Sequence, residues 1–96
     1  MLPPSPTENA EGLQVLRYQH GQKYDAHWDY FIDSVNGRPE NGGQRLVTVL
    51  MYLSDVEEGG ETVFPSADQK VQGPGWSDCA RQGLAIKPVR GRWVTI

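Results

Sequence analysis

The sequence has a single cysteine, Cys79, and only two histidines, His20 and His27, in 96 residues. A lone cysteine cannot close an internal disulfide, so no disulfide framework is available and no redox compartment is indicated. The longest apolar stretch is short and lies mid-chain, which excludes a membrane-spanning helix. Positive charge is scarce too. Nine Lys and Arg stand against twelve Asp and Glu, a net charge of -3, and no basic stripe or run is present to neutralise phosphates. Nucleic acid is therefore not an expected partner. Internal repeats, low-complexity tracts and a helical hydrophobic period are all missing, and residues 1–12 are Pro-rich and acidic, unlike a signal peptide.

What is present reads as one small, mainly all-β domain. Hydrophobic residues make up 38% of the chain, and three Trp with four Tyr supply large side chains, enough for a globular segment with a thin core. Residues 1–12, with Leu2-Pro3-Pro4-Ser5-Pro6, have no face to bury and are expected to be a mobile lead-in to a domain over 13–96. The pattern predicts strands at Leu13–Tyr18 and Tyr24–Phe31 around a turn at Gly21-Gln22, and a central buried strand at Leu46–Leu53. Short strands are expected at Glu61–Phe64 and Gly83–Val89. Asp33–Gln44, with Asn36-Gly37, Pro39 and Asn41-Gly42-Gly43, reads as an exposed flexible loop, and Ser66–Arg81 as a second loop. Close-spaced short strands with Gly-rich turns point to an antiparallel sandwich or barrel.

The chemistry is carried by His27-Trp28-Asp29. In an extended chain, residues i and i+2 lie on one face, ~6.6 Å apart at the backbone, so an imidazole and a carboxylate can converge on one ion. Two His and one carboxylate with open positions is the donor set of non-haem Fe(II) oxygenases. Taken alone, His-x-Asp is short, and a surface His beside a solvated Asp fits it equally well. His20 is expected to lie ~13 Å from His27 along the hairpin, too far to share its ion. Glu57, Glu58 and Glu61 read as a solvated turn and strand edge, and Lys87 and Arg90 as solvated charges.

A longer series of motifs surrounds that pair. Leu13–Tyr18, Gly21–Phe31, Asn41-Gly42-Gly43-Gln44-Arg45, Thr48–Val56, Gly59-Gly60-Glu61-Thr62-Val63-Phe64-Pro65 and Gly83–Pro88 closely resemble, in order and spacing, the metal-binding region of plant-type and algal prolyl 4-hydroxylases. The resemblance implies part of a double-stranded β-helix, or jelly roll, with long loops. It also implies Fe(II) and 2-oxoglutarate, with ascorbate assisting, and a proline-rich protein substrate hydroxylated at peptidyl proline. Carried over by position, His27 and Asp29 become metal ligands, while Tyr18, Tyr24 and Tyr52 line the co-substrate pocket, where a phenol can donate to a carboxylate. Ordinary strand packing is the plain alternative for each tyrosine. By the same resemblance the compartment is the endoplasmic reticulum or Golgi.

After Gly91 the resemblance stops. Family members continue to a distal His and then a Lys that pairs with the far carboxylate of 2-oxoglutarate, whereas here the sequence reads Arg92-Trp93-Val94-Thr95-Ile96. The expectation is a domain truncated at both ends, lacking its third iron ligand and inactive alone. The alternative is a non-catalytic family member that serves as an interaction or regulatory remnant.

Overall fold

The computed structural model describes residues 10–96, so residues 1–9 of the expected lead-in lie outside the described residues. Two compact units divide the chain, one running to Leu46 and the other comprising Val47–Ile96.

The second unit holds all the strands found among the described residues: β1 (Val49–Met51), β2 (Thr62–Phe64), β3 (Leu84–Ile86) and β4 (Trp93–Thr95). Each is rich in β-branched, aromatic or long apolar side chains, which suit a pleated, half-buried surface. They pair antiparallel as two nested ladders, β2 with β3 inside and β1 with β4 outside. The registers are Val63 opposite Ala85 and Leu50 opposite Val94. Burial in the outer ladder has the strand period: Leu50 and Val94 are half-buried while Val49, Met51, Trp93 and Thr95 are exposed.

Gly91 starts the outer ladder. Val89–Arg92 form a turn closed by the Arg92 amide donating to the Val89 carbonyl at 2.9 Å, and Gly91 takes φ +84° at its third position. The Gly91 amide then donates to the Tyr52 carbonyl and the Tyr52 amide to the Arg92 carbonyl, both at 3.0 Å. Two residues facing one, with the first in the left-handed region, make a glycine-dependent β-bulge.

The core of this unit is small. Ala80 is fully buried and Ala85 nearly so, at 6% exposure. Beside them Gly83 is buried, and a Cβ there would strike the Phe64 carbonyl, so only glycine lets the strand approach this closely. The 66–78 loop is fastened to this core by Glu61. Its carboxylate accepts the Ser77 amide at 2.9 Å and the Ser77 hydroxyl at 2.8 Å, and the same hydroxyl oxygen accepts the Ala80 amide at 3.1 Å, starting the 3₁₀ turn Ala80–Gln82. Burial is the largest single influence on Glu61 and pushes its carboxyl up. The two Ser77 bonds, helped by the charge of Lys87, more than reverse this and hold it below the usual carboxylate range. Lys87 itself sits 4.7 Å from the centre of the Trp76 ring.

The unit ending at Leu46 contains no strand among its described residues. Its regular element is the 3₁₀ turn Pro39–Asn41, inside the exposed 33–44 loop. The Asp33 carboxylate organises the start of that loop, accepting the amides of Val35 at 2.8 Å and Asn36 at 2.7 Å. These bonds to Asn36 and Val35 lower the Asp33 pKa.

Several expectations are corrected. Leu13–Tyr18 and Tyr24–Phe31 are not strands: a strand needs a ladder partner, and only the 19–22 turn forms, by the Gln22 amide donating to the Gln19 carbonyl at 3.0 Å. Leu46–Leu53 is not a central buried strand; its pairing runs from Thr48 to Tyr52, on one edge with β4 and the residues flanking it, and Leu46 and Leu53 are 83% and 68% exposed. Apolar composition marks what can be buried, but a layer on each face has to do the burying. Glu61–Phe64 and Gly83–Val89 contain β2 and β3 but shrink to three residues each, and Glu61 is a half-buried hydrogen-bond partner, not a solvated edge. The strand at Trp93–Thr95 was not expected. The elements agree with part of a β-rich domain, and the described residues form no closed barrel. No helix among them is long and apolar enough to cross a membrane.

Replacing Gly91 by Ala should destabilise the outer ladder by ~1 kcal/mol or more, because a side chain is strained at that φ. Hydrogen exchange at the Tyr52 amide should quicken, and unchanged exchange would contradict the bulge assignment. For Glu61, a carboxyl lowered by folding contributes stability that is complete above its unfolded value of about 4.3 and is lost as pH falls through the lower folded value. Ser77 amide exchange should therefore rise on acidification below about pH 4, and Glu61→Gln should remove that dependence.

Candidate metal centre

His27 and Asp29 lie in extended backbone without a ladder. Their side chains nevertheless converge, with His27 Nε2 3.2 Å from Asp29 Oδ1, so the i, i+2 geometry expected from the sequence is met. On the other edge of the imidazole, Nδ1 lies 2.8 Å from the Asp25 carbonyl oxygen. A carbonyl can only accept, so Nδ1 carries a proton, and in the neutral imidazole Nε2 then presents its lone pair to the carboxylate. Lone pair against carboxylate is repulsive at this distance unless a proton or a cation lies between them. The Tyr24 ring packs on the imidazole with centroids 4.3 Å apart at 35°, holding its plane.

The pair fits a divalent metal. Two donor atoms each ~2.1 Å from one ion and ~90° apart are separated by ~3.0 Å, close to the observed spacing. A backbone carbonyl on the remote ring nitrogen is the usual second partner of a metal-bound histidine, setting its tautomer. With His27 and Asp29 half-exposed to partly covered, an ion could reach them from solvent. Among the described residues no group of three or more His, Cys, Asp or Glu is assembled, His20 included.

The tyrosines separate. Tyr24 belongs to the metal pair through its ring contact, although it is 62% exposed. Tyr18 is in the same unit and 50% exposed. Tyr52, just after β1 in the second unit, has its phenol 2.6 Å from the hydroxyl of Thr62 in β2, and the two oxygens form a hydrogen-bonded pair. Such a pair retains one proton to donate to an anion.

Two residues that sequence reasoning did not single out support the metal pair. Arg45 grips Glu11 through both carboxylate oxygens, at 2.7 and 2.8 Å, and lies 4.5 Å from the centre of the Phe31 ring. Arg45 holds the Glu11 carboxyl below the usual range, chiefly through that hydrogen bond, and the bond to Glu11 raises the guanidinium in return, with the charge of Asp29 adding to it. Gln44 brackets the Phe31 backbone: its Oε1 accepts the Phe31 amide at 2.8 Å and its Nε2 donates to the Phe31 carbonyl at 2.9 Å. The stretch Asn41–Arg45 was visible as a motif, but neither a 34-residue ion pair nor a side chain bonding a distant backbone leaves a local signature.

Comparison with known proteins accords with this geometry. Residues 13–96 match the family model described as the 2OG-Fe(II) oxygenase superfamily. The chain is 54% identical over 90 residues to probable prolyl 4-hydroxylase 3 of Arabidopsis thaliana, covering 90% of this chain and 31% of that protein. It is 58% identical over 90 residues to probable prolyl 4-hydroxylase 10 of the same plant, covering 90% and 30%. To prolyl 4-hydroxylase 5 it is 56% identical over 87 residues, covering 86% and 29%. The chain thus spans less than a third of the length of these relatives. With all but its first twelve residues matched, and with an imidazole and a carboxylate set as a divalent metal requires, the chain belongs to the 2OG-Fe(II) oxygenase superfamily.

Proposed function

We propose that this chain is the metal-binding portion of a prolyl 4-hydroxylase, with His27 and Asp29 as iron ligands and 2-oxoglutarate as co-substrate. The observation that carries the reading is the His27–Asp29 contact at 3.2 Å with His27 Nδ1 committed to the Asp25 carbonyl. The relatives' names supply the substrate class, peptidyl proline, and the superfamily supplies Fe(II) and 2-oxoglutarate. Ascorbate as an assisting reductant and a jelly-roll frame around β1–β4 belong to the same proposal.

Iron, when bound, supplies the redox chemistry that couples oxidative decarboxylation of 2-oxoglutarate to oxygen insertion at the proline ring. This chain's own residues do the holding. The Asp25 carbonyl keeps the proton on Nδ1, so that Nε2 offers its lone pair without rearrangement. Asp29 adds one negative charge, and Tyr24 restrains the imidazole plane. In the second unit the Tyr52 and Thr62 hydroxyls can donate to a carboxylate, the role proposed for them toward the co-substrate. Tyr18 is proposed as a co-substrate residue by position. Two protein ligands select weakly among divalent ions, since discrimination depends on the donor set and its geometry. Taken alone, these 96 residues therefore suit a weak metal-binding role, and turnover belongs to a chain that offers a third ligand.

Trp28, between the two ligands and 78% exposed, is a local reporter. Co(II) should quench its fluorescence saturably, and both His27→Ala and Asp29→Ala should weaken that binding by ~10-fold or more. Equal quenching of the wild type and His27→Ala would remove the metal reading. Succinate release from 2-oxoglutarate, with Fe(II), ascorbate and a proline-rich peptide, should be undetectable for these 96 residues; turnover lost in His27→Ala would show that two ligands suffice.

A further inference from the structure

We propose that Gln44 is a positioning residue for the His27–Asp29 pair, an inference that rests on the metal reading above. Its amide bonds both polar groups of one residue, accepting from the Phe31 amide and donating to the Phe31 carbonyl. That two-point exchange is what a neighbouring strand offers at a hydrogen-bonded antiparallel pair, and here one side chain provides it. Phe31 lies two residues beyond Asp29, so the bond fixes the backbone that aims the carboxylate. On the amino-terminal side the Asp25 carbonyl fixes the imidazole. The ligands are thus held between two anchors, one of them reached only through the 33–43 loop.

The loop is fitted around that anchor. The Gln44 amide fills the space a Cβ at Gly37 would take, with Cδ only 2.9 Å from that position and Nε2 nearer still. Gly37 does not have a positive φ, so the requirement there is room and not backbone freedom. The next residue, Arg45, covers the Phe31 ring and is itself tied to Glu11. Phe31 is therefore held by its backbone through Gln44 and by its ring through Arg45. A change in the loop that moves Gln44 would be felt at Asp29, although no loop residue before Gln44 needs to touch the ion.

The test compares Gln44→Met, which keeps length and loses both backbone bonds, with Gly37→Ala, which crowds the amide from the other side. Amide exchange is measured on metal-free protein, and the visible absorption of Co(II) during titration. The Phe31 amide should exchange at least ~10-fold faster in both variants while β2 and β3 amides are unchanged, and Co(II) affinity should fall by ~10-fold. The Co(II) bands should also change shape, since altered ligand geometry alters the spectrum, whereas a smaller folded fraction only scales it. Unchanged Phe31 exchange, or fast exchange with an unchanged Co(II) spectrum and affinity, overturns the inference. A wild-type Co(II) spectrum reproduced by His27→Ala would remove the metal reading and the positioning role with it; failure confined to Gln44→Met and Gly37→Ala would leave the metal reading standing.

Discussion

Backbone amides and carbonyls that find no ladder partner must be bonded by something else, and most of this chain's architecture follows from that constraint. The ladders are three residues long and number two among the described residues, so side chains take over much of the pairing. Gln44 serves Phe31, Glu61 serves Ser77, Ser77 serves Ala80, and Asp33 serves Val35 and Asn36. Each of these bonds fastens a loop at a definite point. The metal pair lies in one segment so fastened, between the Asp25 carbonyl and Phe31.

The site depends on the same economy of partners. A hydrogen bond to a carbonyl selects the tautomer of a neutral His27 and presents Nε2 to the Asp29 carboxylate at 3.2 Å, a spacing that suits two donors to one divalent cation. Arg45, with two of its nitrogens directed to Glu11, adds its positive charge beside Asp29.

Apolar surface is the other consequence of short ladders. Leu13, Trp28, Ile32 and Leu46 are each more than three-quarters exposed, and among the described residues Ala80, Ala85 and Pro88 are the apolar side chains that are buried. Two-stranded ladders bury little, and stable independent sheets usually need a third strand or a second layer. The family match runs through residue 96, past Gly91 where the resemblance was expected to stop, and this stretch carries the outer ladder: Trp93, Val94 and Thr95 have the shape and β propensity the position asks for, and Gly91 supplies the bulge that starts it.

The convergence of His27 and Asp29 was legible in the sequence because its geometry is local: two residues apart in extended backbone, their side chains meet whatever surrounds them. The turn at Gly21-Gln22, the looped character of 33–44 and the existence of β2 and β3 were legible for the same reason, being set by glycine, proline and β-branched residues over a few positions. Strand length and burial were not. Whether Leu46–Leu53 is covered depends on which layers lie over it, and whether Leu13–Tyr18 is a strand depends on a partner; neither is a property of the segment. Nor could the sequence show that Glu11 meets Arg45, that Tyr52 meets Thr62, or that Gln44 closes on Phe31 around Gly37. Those contacts join residues 10 to 34 positions apart, and only the path of the chain through space decides which distant polar groups come within 3 Å of one another.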